Sequence, residues 1–168
     1  MKQTVLLAVV AVLLGTRWSD GQEPVKPSDT PAEVLELLEF STGAWYAKLG
    51  GVSCACTVNS RANGRCVLLE GRRFADAISF TSLFGWYAPS RQVIGLIVFE
   101  NGESLLVRAG VRSESDRFAL EGNAVGILRG KPIRATFKST CGGNAWSVEV
   151  TTADGENVKG HLQSTGSR

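Results

Sequence analysis

The sequence has one histidine and one methionine among its 168 residues, and its charges nearly cancel. One imidazole excludes any site that needs two. Eighteen Lys and Arg residues against 16 Asp and Glu leave a net charge of +2, so the composition predicts no nucleic-acid partner. Only five prolines accompany 19 glycines, without a Gly-X-Y period, which excludes collagen. A 43% hydrophobic content excludes a wholly disordered chain, and the length predicts one domain.

The N-terminus has the pattern of a secretory signal peptide. Lys2 precedes an apolar run over residues 4–15, which is shorter than the roughly 20 residues that a bilayer span needs. Ser19 and Gly21 provide small residues for cleavage after Gly21. We therefore predict a signal peptide at 1–21, a secreted or periplasmic protein, and no membrane span in the mature chain. A retained N-terminal anchor is the alternative.

Secretion favours disulfides among the four cysteines. Cys54 and Cys56 lie two residues apart in a predicted strand, so they point to one face about 6.5 Å apart and are poorly placed to bond each other. Excluding that pair leaves two of the three possible connectivities. The register of the hairpin stays open, since a hairpin centred on Arg61 would set Cys56 opposite Cys66, whereas a turn at 63–64 would set Arg61 opposite Cys66. Free thiols and a metal site are the alternatives, and no metal is predicted from this spacing. The predicted disulfide residues are Cys54, Cys56, Cys66 and Cys141.

A polar linker over 22–30 leads into one short helix. Thr30 is the predicted N-cap, Pro31 the first helical residue and Glu33 the partner that completes a capping box. An apolar stripe with helical spacing continues to about Ser41. The helix is too short to be stable alone, so its apolar side must pack on the rest of the domain.

From residue 43 onward the hydrophobic period changes to two, which predicts strands. Glycine-rich turns separate them, and no gap is long enough for a crossover helix, so neighbouring strands should pair antiparallel. We predict an all-β domain over 31–165, an up-and-down antiparallel barrel of about ten strands preceded by the short helix; closure removes the free sheet edge. A sandwich is the alternative. The predicted strands are 43–49, 52–59, 64–72, 76–86, 92–99, 103–111, 117–124, 131–139, 145–152 and 157–163.

Alternation also predicts which side chains share a face. In the strand 76–86, Phe80, Phe84 and Trp86 lie on one side. The strand 92–99 is apolar on both sides, which predicts that the helix covers its outer face.

Two short motifs resemble the lipocalins and related calycin barrels. Gly43-Ala44-Trp45 after a helix resembles their Gly-x-Trp entry, in which the Trp plugs the closed end of the barrel. Residues 35–165 also resemble a group of lipocalin-like proteins of unknown function that is common among secreted bacterial proteins, through the segments 85–89 (Gly-Trp-Tyr-Ala-Pro) and 99–102 (Phe-Glu-Asn-Gly). Ala88 replaces an acidic residue of that group. The resemblance implies a barrel.

A barrel of eight to ten strands can hold a small ligand as well as its own side chains. Large aromatic residues either pack its core or line a cavity. Arg108 and Arg134 would receive a ligand carboxylate if they point inward. The predicted ligand-binding residues are Trp45, Phe80, Phe84, Trp86, Arg108, Arg134 and Trp146.

The sequence offers little for catalysis. A Ser or Cys nucleophile would depend on His161, and no Gly-x-Ser-x-Gly elbow is present. His161 near the C-terminus resembles the haem ligand of the nitrobindin-like haem proteins, but their Trp-x-Gly-x-Gly entry is absent. We predict no enzyme and no cofactor, and a secreted lipocalin-like protein that binds a small hydrophobic or amphipathic ligand. The alternatives are an envelope or extracellular protein-interaction module with a packed barrel, and a haem protein that uses His161.

Overall fold

A computed structural model describes residues 30–114 and 117–165. The predicted signal peptide and nearly all of the predicted linker lie outside these residues. The described chain forms one helix followed by ten strands. These are α1 (Ala32–Phe40), β1 (Gly43–Leu49), β2 (Val52–Arg61), β3 (Cys66–Arg73), β4 (Ser79–Tyr87), β5 (Gln92–Phe99), β6 (Ser104–Glu114), β7 (Arg117–Leu128), β8 (Lys131–Gly142), β9 (Ala145–Thr152) and β10 (Asn157–Ser164).

The ten strands form a closed antiparallel barrel. Each strand pairs with its neighbours in sequence, and β1 pairs with β10 to close the ring. The closing pair runs from Trp45 opposite Ser164 to Leu49 opposite Gly160. The predicted up-and-down barrel with one preceding helix is therefore confirmed, and the sandwich is not formed. Closure gives the backbone groups of the terminal strands hydrogen-bonding partners that an open sheet would lack.

Helix α1 begins one residue later than predicted. Pro31, not Thr30, is its N-cap, and no side chain caps the helix. The carbonyl of Pro31 instead accepts the backbone N–H groups of Val34 and Leu35. At the other end the Ser41 hydroxyl donates to the Leu38 carbonyl at 2.8 Å. The expected capping box is absent because the N-cap residue is proline, which has no side-chain acceptor.

Helix α1 lies across the end of the barrel at which β1 begins. Val34, Leu37 and Leu38 are buried in the main core, and Phe40 contacts the rings of Trp45 and Phe118. The expectation that α1 covers the outer face of β5 is wrong, since Val98 on that face is 36% exposed. The helix instead buries its apolar side against inward-facing aromatic residues, which closes this end.

Glycines allow two phenylalanine rings to lie flat inside the wall. A Cβ atom at Gly95 would lie 2.0 Å from the ring of Phe84, and one at Gly71 would lie 2.4 Å from the ring of Phe80. Each ring therefore covers the place of a missing side chain on the neighbouring strand. This arrangement keeps two large rings against the wall.

Candidate ligand site in the barrel interior

Five of the seven predicted ligand-binding residues face the interior. Trp45 and Phe80 are buried, whereas Phe84, Trp86 and Trp146 are half-buried. They belong to β1, β4 and β9, in which alternate side chains point inward. The other two residues, Arg108 and Arg134, lie on the outer surface.

The two arginines are exposed because of strand alternation. Arg108 lies between the buried residues Val107 and Ala109, and Arg134 precedes the buried Ala135. Their side chains therefore point away from the interior, and the interpretation that they receive a ligand carboxylate inside the barrel is wrong. Because leucines occupy both sides of β6, the sequence alone does not show which side of this strand faces inward.

Arg73 is the charged residue that the sequence analysis missed. It ends β3 on the inward-facing side, after Val67, Leu69 and Gly71. Its guanidinium forms two hydrogen bonds with the Asp76 carboxylate, at 3.1 and 2.6 Å, and lies 5.7 Å from the centre of the Phe99 ring. Asp76 balances the charge of Arg73.

Trp45 closes the floor of the interior at the α1 end. It is 1% exposed, and its indole N–H donates to the Ser41 carbonyl at 2.9 Å. Its ring packs edge-on against Trp146, with the ring centroids 6.2 Å apart. The position agrees with the plug that the Gly-x-Trp resemblance implies.

The interior walls are not uniformly packed. On β9 the inward-facing residues Val148 and Val150 are only half-buried, and so are Phe84 and Ile97 on β4 and β5. Because β9 and β4 are five strands apart in a ring of ten, these walls oppose each other. Accessible surface on inward-facing side chains requires space beside them. The barrel therefore has accessible space between two opposite walls.

Two polar atoms on the β4 wall have no partner. The hydroxyl of Ser82 and the indole N–H of Trp86 are buried without a hydrogen bond in the described structure. Both side chains face inward on the same side of β4, four residues apart, with Phe84 between them. A buried polar group without a partner costs about 1–3 kcal/mol. This pair provides hydrogen-bonding capacity that the protein itself leaves unused.

The β8–β9 wall carries the same residue types with their hydrogen bonds made. The Trp146 indole N–H donates to the Ser139 hydroxyl, and that hydroxyl donates to the Ser147 carbonyl at 2.9 Å. Ser139 is 3% exposed and Ser82 is 2% exposed, so the two serines differ in partners and not in burial.

The predicted disulfides do not form. No two of the four cysteines lie at disulfide-bonding distance. The β2–β3 hairpin sets Arg61 opposite Cys66, which places Cys66 on the outer side of the wall, whereas Cys54, Cys56 and Cys141 face inward. Burial, together with the neighbouring Cys54, raises the pKa of the Cys56 thiol to about 12. The pKa of Cys54 is also raised by burial.

His161 does not face the interior. It is exposed on the outer side of β10, opposite Lys48 and Ser147. A haem inside the barrel would therefore not reach its imidazole. Among residues 30–114 and 117–165, no three His, Cys, Asp or Glu side chains are grouped so that they could hold a metal ion.

The closed ten-stranded barrel is compatible with a lipocalin-like fold. The chain matches no protein-family model and no curated protein. Over the part of the chain that the structure describes, no helix has the length and apolar character to cross a membrane.

Proposed function

We propose that this is a secreted binding protein whose barrel holds one small, neutral, amphipathic molecule. The observation that carries the proposal is the unused hydrogen-bonding capacity of Ser82 and Trp86 on the β4 wall. A ligand whose acceptor oxygen reaches either atom would remove the energetic cost of that atom's burial. Its apolar part would lie between the half-buried side chains of the two opposite walls.

The inward-facing side chains of the barrel favour a neutral ligand. Arg73 is paired with Asp76, and the described strands place no carboxylate and no imidazole inward. An ionised ligand would enter the interior without a counter-ion, which is unfavourable in a low-dielectric site.

The test uses Nile red, a neutral fluorescent dye with a carbonyl acceptor. Wild-type protein should bind it with a blue-shifted emission. Ile97→Phe and Val148→Phe enlarge inward side chains on opposite walls and should each weaken binding by tenfold or more. Thr136→Phe adds the same ring on the outer side of β8 and is the matched control. Unchanged binding by both interior variants, with folded protein verified by thermal melting, would contradict the proposal.

A second measurement identifies the natural ligand. Native mass spectrometry of the protein isolated from its own source should show a mass above that of the mature chain, which a denaturing solvent removes. The two interior variants should lose this added mass, and the control should retain it.

A further inference from the structure

One outer face of the barrel carries an uninterrupted row of aliphatic side chains. Its members lie directly opposite one another on five neighbouring strands, β3 to β7. At the usual spacing between strands, the row is about 19 Å wide. Leu83 is 49% exposed and Val125 is 43% exposed. We call this surface the apolar face; its central row is Leu68, Leu83, Leu96, Leu106 and Val125.

Further apolar side chains border the row on both sides. Ile94 and Val98 flank Leu96 on β5, and Ile127 follows Val125 on β7 with 45% of its surface exposed. Tyr87, half-exposed, ends β4 on the same side of the wall. Single exposed aliphatic residues are common on soluble proteins, but a contiguous patch of this kind marks an interaction surface.

The charges beside the β6–β8 part of the apolar face are positive. Arg108 follows Leu106 on the same side of β6, and Arg134 lies directly opposite Val125 on β8. No carboxylate occupies an outward-facing position on β4, on β5 or on residues 104–113 of β6. No ion pair holds either arginine within the described residues. The margin of the face is therefore cationic along β6 and β8, whereas the exposed Glu70 follows Leu68 on the outer side of β3.

The other side of the barrel is different. There Lys159, Glu149, Lys138 and Glu121 alternate in sign across β10 to β7. Lys159 pairs with Glu149 at 3.3 Å, and Lys138 lies 3.9 Å from Glu121. We call this surface the charged face. Its opposite charges are matched within the protein, whereas those of the apolar face are not.

We propose that the apolar face binds an anionic lipid surface. The central row is aliphatic, and the backbone groups beneath it are bonded within a closed sheet, so it offers no donor, acceptor or free edge to a partner chain. Fluid acyl chains can fit such a convex surface, and Arg108 and Arg134 would meet lipid phosphates. A second copy of the chain would bring the two cationic margins together, which is unfavourable. Tyr87 suits the boundary between lipid and water.

The test is sedimentation with vesicles of phosphatidylcholine, alone or mixed with phosphatidylglycerol. Wild-type protein should bind the mixed vesicles more tightly. Leu83→Ser combined with Leu96→Ser should weaken this binding by tenfold or more, since it removes apolar area that would enter the lipid. Arg108→Gln and Arg134→Gln should each weaken it about fivefold. Lys138→Gln with Lys159→Gln removes two positive charges from the charged face and should have little effect.

Three results would overturn the proposal. One is equal binding to vesicles with and without phosphatidylglycerol, and another is an equal loss in the lysine and arginine variants. The third is a concentration-dependent dimer, seen by light scattering, that Leu83→Ser and Leu96→Ser dissociate, because the face would then join two copies. Unchanged Nile red binding by the leucine variants would show that the interior remains intact. A failure at the outer face would leave the proposed interior site standing.

Discussion

Two serine–tryptophan pairs face the interior of the barrel, and only one of them makes its hydrogen bonds. Ser139 and Trp146 lie on the two strands of one hairpin, so the indole of Trp146 reaches the hydroxyl of Ser139 across the wall. Ser82 and Trp86 lie on one strand. The residues opposite Ser82 are Leu69 and Ile97, which offer no polar atom.

The difference is one of neighbours rather than residue type. Trp86 lies opposite Val93, whose side chain offers no polar atom. We propose that the β8–β9 pair stabilises the fold, whereas the β4 pair serves a ligand. Matched substitutions in the two pairs should therefore have different consequences.

The largest difference is expected between the two tryptophans. Trp146→Phe should lower the free energy of unfolding by about 2–4 kcal/mol, since it removes buried ring area, the edge-on contact with Trp45 and the bond to Ser139. Trp86→Phe should cost about half as much, because it also removes an unpartnered N–H. Urea unfolding measures both. Equal losses would contradict the distinction between the two walls.

Replacing each serine with alanine removes its hydroxyl with little change in side-chain volume. Ser139→Ala should lower the free energy of unfolding by about 1–3 kcal/mol, since it leaves the Trp146 indole without its acceptor. Ser82→Ala should leave the free energy unchanged or raise it by up to about 1 kcal/mol, because a buried orphan hydroxyl is removed. A destabilising Ser82→Ala, measured by urea unfolding without ligand, would show that Ser82 has a partner within the protein.

Ligand affinity should show the reverse order. Ser82→Ala should weaken Nile red binding about fivefold to tenfold, which corresponds to one hydrogen bond of about 1–1.5 kcal/mol. Ser139→Ala should change the affinity less than twofold in protein that remains folded. Fluorescence titration measures both. A larger loss in Ser139→Ala would place the ligand on the β8–β9 wall.

Thiol labelling of the four cysteines tests which residues face inward and which face outward. Cys66 should react with a thiol reagent in native protein, whereas Cys54, Cys56 and Cys141 should react only after unfolding. Mass spectrometry counts the labels. A native count of zero or of more than one would contradict the strand register.

The raised pKa of the Cys56 thiol predicts that the free energy of unfolding depends on pH. Its pKa is raised to about 12 from the ordinary thiol value of 9.0, so the neutral form is favoured in the folded state. This contribution is fully present below pH 9.0 and is lost as the pH rises toward 12. Cys56→Ser should reduce the alkaline loss of stability measured by urea unfolding. An unchanged alkaline slope would show that Cys56 does not cause it.

Much of the fold could be predicted from the sequence because the strands alternate regularly and glycine turns separate them. The bounds of β1, β5 and β9 agree with the predicted ranges, and the predicted closure is confirmed. The alternation also separates the outward-facing Arg134 from the inward-facing Ala135. Alternation does not show whether Arg108 faces inward or outward, since leucines occupy both sides of its strand.

The remaining features depend on register and on contacts between strands. A shift of one residue in the β2–β3 hairpin would bring Cys66 inward, and local sequence does not fix this register. The position of α1 depends on Phe40 meeting Trp45 and Phe118 at the barrel end. The absence of a partner for Ser82 depends on residues that lie opposite it on two other strands, which no local pattern shows.

The most direct test of the central claim is the proton–nitrogen correlation spectrum of the indole groups during a Nile red titration. We expect the Trp86 indole resonance to move as its N–H gains an acceptor, while that of Trp146, already bonded to Ser139, stays in place. A stationary Trp86 resonance at saturating dye, or equal movement of both, would contradict the claim that the β4 wall binds the ligand.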